Sequence, residues 1–222
     1  KKAQVSVVCR EKTLLHKQMV QYYTTNWDFI VSRAEANGLL VCVTNGEIEL
    51  KKPELTTAKR VLTKIFEYEL EVDLAGQCGQ VDGVCWDPEE VKPLRITNTN
   101  KDVTLKGEHD FDQLATAMAS EARLLVSGIP GEAEEMEAWA NAGFLKSRHS
   151  LIQGRFSIAG DPRLELGDVV TIAEAGKLFN ATVIISGIRH RINNNGWTTD
   201  LQCGLSRRWF YEDHDLMDKP AA

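Results

Sequence analysis

The chain has 222 residues, 26 of them Lys or Arg and 32 Asp or Glu, so its formal charge is −6 with neutral histidines. A pI near 5.5, with no stripe of Lys and Arg interleaved with aromatics, argues against a dedicated nucleic-acid binder, which needs a basic field to hold phosphates. An apolar content of 43 % with 26 % charged residues is globular and allows a sizeable core, and no run approaches the ~18 consecutive apolar residues of a membrane-spanning helix.

Five cysteines, Cys9, Cys42, Cys78, Cys85 and Cys203, are an odd number thinly spread along a long chain, which reads as free thiols in a reducing compartment. Lys1 stands where an initiator methionine is expected and no apolar signal segment follows it, so the sequence reads as part of a longer chain. Residues 3–9 alternate with a period of two and are rich in Val, which predicts a strand. From Thr25 to Gly38, the apolar positions Trp27, Ile30, Val31 and Ala34 recur at i, i+3, i+4 and i+7, one stripe of a helix over about 25–37. Thr25 with Asp28 is an N-terminal capping pattern, and Gly38 suits the left-handed position after a helix.

Leu39–Val43 and Glu47–Leu50 flank Asn45-Gly46, a hairpin signal. In Leu62–Leu74, Phe66, Tyr68, Leu70, Val72 and Leu74 alternate with charged residues, which predicts one half-exposed strand. Val81–Trp86 reads as a strand closed by Asp87-Pro88, and the polar run from Thr97 to Asp110 as a loop. Phe111–Ser127 has helical composition, with Leu114 and Met118 on one stripe. A second helix is expected from about Glu132 to Arg148, acidic at its start and basic at its end as the helix dipole favours. Leu151–Ala159, Val169–Ala173, Thr182–Asn193 and Thr198–Cys203 all read as strands joined by Pro/Gly and Asn-Gly turns. The fold class expected is therefore α+β and β-rich, with antiparallel barrel-like domains and a few short packed helices. The domain division expected is an accessory α+β segment over 1–60 and strands of an incomplete first barrel over 61–96. A second barrel-like domain with inserted helices over 97–210 and a tail over 211–222 complete it.

Catalytic chemistry finds little support. Cys78 and Cys85 have six residues between them and no histidine nearby, unlike a zinc site, and they read as buried thiols. His149 and His190-Arg191 are candidate bases without a nucleophile elbow. Glu132, Glu134, Glu135 and Glu137 read as a solvated helix start rather than a metal cluster or glycosidase acids. Gly76–Gly79 lacks phosphate-cradle spacing. Trp27 and Trp139 fall on helix stripes and are expected in the core, whereas Trp197 and Trp209 are candidates for an interface or a carbohydrate site. No catalytic, cofactor-binding or metal-binding residue is therefore assigned. An enzymatic alternative would be a cell-wall or glycan hydrolase uniting Glu165 or Asp168 with His190.

Three stretches together resemble one family. Val20-Gln21-Tyr22-Tyr23-Thr24-Thr25-Asn26-Trp27-Asp28-Phe29-Ile30 with Arg33-Ala34-Glu35 and Gly38 is similar to a segment of VgrG spike proteins and of the baseplate hubs of contractile phage tails. Gln77 to Trp86-Asp87 resembles the strand pair that follows in that family. Gly160–Val170, Phe179, Gly187-Ile188-Arg189-His190 and Gly196-Trp197-Thr198-Thr199 resemble its late barrel. The resemblance implies a tail-tube-like structural hub, a homotrimer joining a hexameric tail tube protein to a spike or tip protein among baseplate components, with no cofactor. Relatives of this kind serve type VI secretion, extracellular contractile injection systems and phage tails. Such a hub is made in the bacterial cytoplasm and is secreted or virion-associated in the finished particle.

Overall fold

The computed structural model describes residues 6–11, 14–16, 18–53, 58–99, 122–128 and 130–213. In chain order these form β1 (Ser6–Cys9), α1 (Asn26–Ala36), β2 (Leu40–Thr44), β3 (Glu47–Lys51), β4 (Arg60–Leu62), β5 (Glu67–Val72), β6 (Val81–Asp87), β7 (Lys92–Thr97) and β8 (Arg123–Val126). There follow α2 (Ala133–His149), β9 (Ile152–Ala159), β10 (Val169–Ile172), β11 (Thr182–Asn193), β12 (Gly196–Cys203) and α3 (Phe210–Asp213). The fold is a β-rich α+β structure whose described strands form three sheets, ordered β1-β3-β2, β4-β10-β11-β12-β9-β5 and β7-β6-β8.

Local chemistry explains several of these elements. Thr25 caps α1 by accepting the Asp28 N–H at 3.2 Å, and Gly38 follows the helix at φ +68. Asn45 and Gly46, at φ +53 and +81, make the tight turn between β2 and β3 whose twist matches paired strands. Asp87 accepts the N–H groups of Glu89 and Glu90 and turns β6 back into β7, a strand absent from the sequence-based expectation.

Two expectations are corrected. Leu62–Leu74 is not one strand: β4 ends at Leu62 and β5 begins at Glu67. Lys64 between them sits at φ +59 and donates its N–H to Glu174 at 3.1 Å. The expected helix over 111–127 is, at its end, the strand Arg123–Val126, paired in parallel with β6; residues 111–121 lie outside the described residues.

The six-stranded sheet is curled by its own connectivity. β4 and β5 occupy its opposite edges. Leu62 O accepts from Ala173 N, and Phe66 N donates to Ser157 O. Four peptide steps between Leu62 and Phe66 reach about 14 Å, whereas five flat interstrand spacings would separate the edges by about 24 Å. The sheet therefore wraps into a half-barrel around a core that includes Phe156, Ile158, Val170, Ile172, Ile185 and Leu201. A second core, with Val81, Leu125, Phe144 and Trp209, joins β6 and β8 to α2. Residues 142–149 of α2 are all buried. Gln77 Nε2 donates to Ser147 O at 2.7 Å and Cys78 N to Ser147 Oγ at 3.2 Å, which fastens the Gly76–Gly79 stretch to that helix.

Candidate functional site

Alternation along the strands separates the half-barrel's two faces. On β9, Ile152, Phe156 and Ile158 enter the core, so Gln153, Arg155 and Ser157 point the other way. The ladder places Glu69 beside Arg155 and Gln202, and Glu67 beside Ser157, Asp200 and Arg189. The result is a polar face across β5, β9, β12 and β11, carrying a shallow groove of about 1360 Å³.

The charges in the middle of this face are paired with one another. Arg155 donates twice to Glu69 Oε2, at 2.9 and 2.6 Å. Arg191 bridges to Asp200 at 2.7 Å, and Ser157 donates to the same carboxylate at 2.7 Å. Burial alone would raise the Asp200 pKa, but hydrogen bonds from Arg191 and Ser157 outweigh it and hold the carboxyl below its ordinary range. At the margins, Glu67 on β5 and Arg189 on β11 act on this network at longer range, Glu67 helping to raise the pKa of Arg191 and Arg189 helping to lower that of Asp200.

Both margins are open among the described residues. Among the described residues, β5 pairs with β9 alone, and the β10–β11 ladder covers Thr182–Ile184, with Ile185 still bonded to Gly167 and Asp168. From Ile188 to Asn193, β11 has β12 on one side and no strand on the other among the described residues. Apolar groups sit exposed beside both openings: Phe66 and Tyr68 next to β5, and Ile192 with its cross-strand partner Trp197 at the β11–β12 tip.

The residues singled out from the sequence are scattered. His190 Nδ1 lies 3.0 Å from Thr199 Oγ1, and Trp197 Nε1 donates to it at 3.4 Å. Asp168 instead takes Lys59 at 2.8 Å and the Glu165 N–H at 2.7 Å, so the His190 and Asp168 contact sets are separate. Asp161, held by Arg163 and Arg60, has its carboxyl drawn down to about 2, chiefly by the Arg163 hydrogen bond. Glu135 pairs with Arg33 at 2.9 Å, and Glu137 accepts from Thr99. Cys42, Cys78, Cys85 and Cys203 are buried free thiols and Cys9 an exposed one; burial pushes Cys203 up to about 12. His149 is buried, its Nε2 without a partner, and burial lowers it to about 4.

Two tryptophan expectations are corrected. Trp27 is exposed rather than in the core, because Ala34 is the buried residue of α1. Trp209 is fully buried against α2, with Trp139 beside it, and is no surface platform. The half-exposed character of β5 was legible in its alternation; its place at an edge and the opening along β11 were not, because they depend on which strands lie alongside and how short β10 is.

No helix among the described residues is long and apolar enough to cross a membrane. No curated protein matches the chain. Among solved structures it is similar to the tail protein from Neisseria meningitidis MC58, at a TM-score of 0.60 and 13 % identity over 92 % of this chain. It is also similar to the 43 kDa tail protein of prophage MuSo2 from Shewanella oneidensis, at 0.55 and 11 % over 90 %. The chain spans 63 % and 57 % of the lengths of those two proteins. The shared feature is the fold, that of phage tail proteins. Matching over residues 1–194, the chain belongs to the Alg8 N-terminal domain family.

Proposed function

We propose that this chain is the structural hub of a contractile injection machine, a homotrimeric adaptor that joins a hexameric tail tube to the spike within the baseplate. The machine is a type VI secretion system, an extracellular contractile injection system or a phage tail. The observation that carries this reading is the polar face of the half-barrel, amphipathic across four strands and open at both sides. Such a face suits the wall of a channel: its core side stays dry, its other side bears mutually paired charges, and its edges await completion by neighbours. The fold shared with two phage tail proteins supports the same role. The hub is made in the bacterial cytoplasm and leaves with the particle.

The test is assembly. Mixed with tube and spike proteins, the chain is expected to bind both, with three copies counted by light scattering and three-fold symmetry in particle images. A strictly monomeric protein that captures neither partner would overturn the reading. Replacing Glu165, Asp168 or His190 is expected to produce no change in cell-wall lysis.

A further inference from the structure

We propose that copies of this chain join head to tail, the open stretch of β11 in one copy pairing with the open edge of β5 in the next. The inference deepens the hub reading and rests on it, because it names the partner that completes the half-barrel and the residues that select it.

Four features of the two edges agree. The first is charge: Glu67, Glu69 and Glu71 line the β5 margin of the polar face and Arg189 and Arg191 the β11 margin, so the two edges are opposite in sign even after Arg155 has taken Glu69 and Arg191 has taken Asp200. Margins of opposite sign are complementary between two copies. The second is apolar surface. On the core-side face, Phe66 and Tyr68 are 59 % and 50 % exposed at the β5 margin, and Ile192 is 78 % exposed at the β11 margin. Pairing would continue the core across the junction and cover these groups.

The third is strand direction. β5, β9, β12 and β11 alternate antiparallel, so β11 of one copy meets β5 of a copy rotated about an axis along the strands with the alternation unbroken. The fourth is side-chain phase: the odd-numbered residues of both β5 and β11 lie on the polar face. Joining the edges therefore sets polar against polar and apolar against apolar. Because the two surfaces differ, the contact is heterologous, and it closes into a ring when the rotation between copies closes.

The experiment is sedimentation of the wild type, R189E, E67R/E71R and the combined E67R/E71R/R189E over a range of concentrations. Thermal melting serves as the folding control, since all three positions are on the surface. The wild type is expected to self-associate, each charge reversal to weaken association by roughly 10- to 100-fold, and the combined variant to regain most of the loss. A wild type that stays monomeric at every concentration overturns the inference. So does an R189E variant that associates like the wild type, or a combined variant that melts normally but regains nothing. Binding of tube and spike proteins is read separately on the same samples. Capture of both by copies that do not self-associate would sink this junction and leave the hub reading standing; the expected charge pattern without any capture would do the reverse.

Discussion

Gly160 lies against the indole of Trp197, so that an added Cβ would overlap the ring, and its N–H donates to Trp197 O at 3.0 Å. Trp197 in turn reaches His190, and Asp161 N donates to Thr199 Oγ1 at 3.1 Å. The Gly-Asp pair, the histidine and the Gly-Trp-x-Thr hairpin thus form one packed corner. Gly160→Ala is expected to destabilise the fold by about 2 kcal/mol through overpacking, measured by urea unfolding and accompanied by a shift in tryptophan fluorescence. His149 sets a pH window. Its folded pKa of about 4 lies below the ordinary 6.5, so between those values the unfolded chain binds a proton that the folded one refuses. Stability is therefore undiminished above pH 6.5 and falls as pH drops, by about 3 kcal/mol once pH is below 4. Urea titrations at pH 7, 5.5 and 4 should show this slope, and His149→Leu should flatten it. The Asp161 contribution is lost at lower pH, as pH falls from the ordinary 3.8 to about 2, because the Arg163 hydrogen bond holds its folded carboxyl below the unfolded value.

At the scale of elements, α3 is fastened to the two longer helices through one carboxylate. Glu35 on α1 accepts from Lys146 Nζ of α2 at 2.6 Å and from the Phe210 N–H at the start of α3 at 2.7 Å. The Lys146 ammonium also lies 5.3 Å from the centre of a Trp209 ring, a cation–π contact. Lys146 and Glu35 side chains are only 10 % and 21 % exposed, so Lys146→Ala leaves a shielded carboxylate without its cation. The expected cost is about 3 kcal/mol, checked by denaturant unfolding, with faster proteolysis after residue 204 as a second readout. α1 and the β2–β3 hairpin could be read directly, since Thr25, Asp28, Asn45 and Gly46 act within a few residues of themselves. β8 could not: Leu124, Leu125 and Val126 carry no period of their own, and their pairing with Asp82–Val84 of β6 is a long-range contact that overrides helical composition.

For the whole molecule, the polar face of the half-barrel is acidic along its β5 side and basic along its β11 side. If copies meet through Arg189 and the β5 glutamates, their association must respond to salt, because exposed charges are screened beyond a Debye length of about 10 Å at 0.1 M. Raising NaCl from about 0.05 to about 0.5 M is expected to weaken self-association several-fold, followed by light scattering. The apolar part of the junction, Phe66, Tyr68 and Ile192, keeps the loss partial. Ile192→Asp should therefore weaken association even in high salt, and a variant unchanged there would argue that the tip lies outside the contact.

The strand runs and turn signals of residues 151–203, the periodicity of 25–37 and the acid-to-base gradient of 132–148 were enough to establish a β-rich α+β fold, because each depends only on neighbouring residues. The same is true of the polar and apolar faces of β5. Which strands lie at the edges, that β4 and β5 sit on opposite sides of one sheet, and that β11 outruns β10 were decided by tertiary structure alone. These follow from contacts between residues about a hundred positions apart, such as Arg60 with Val170 and Glu69 with Arg155. The open margins exist because strands of unequal length were laid side by side, and no local pattern records the length of a neighbour.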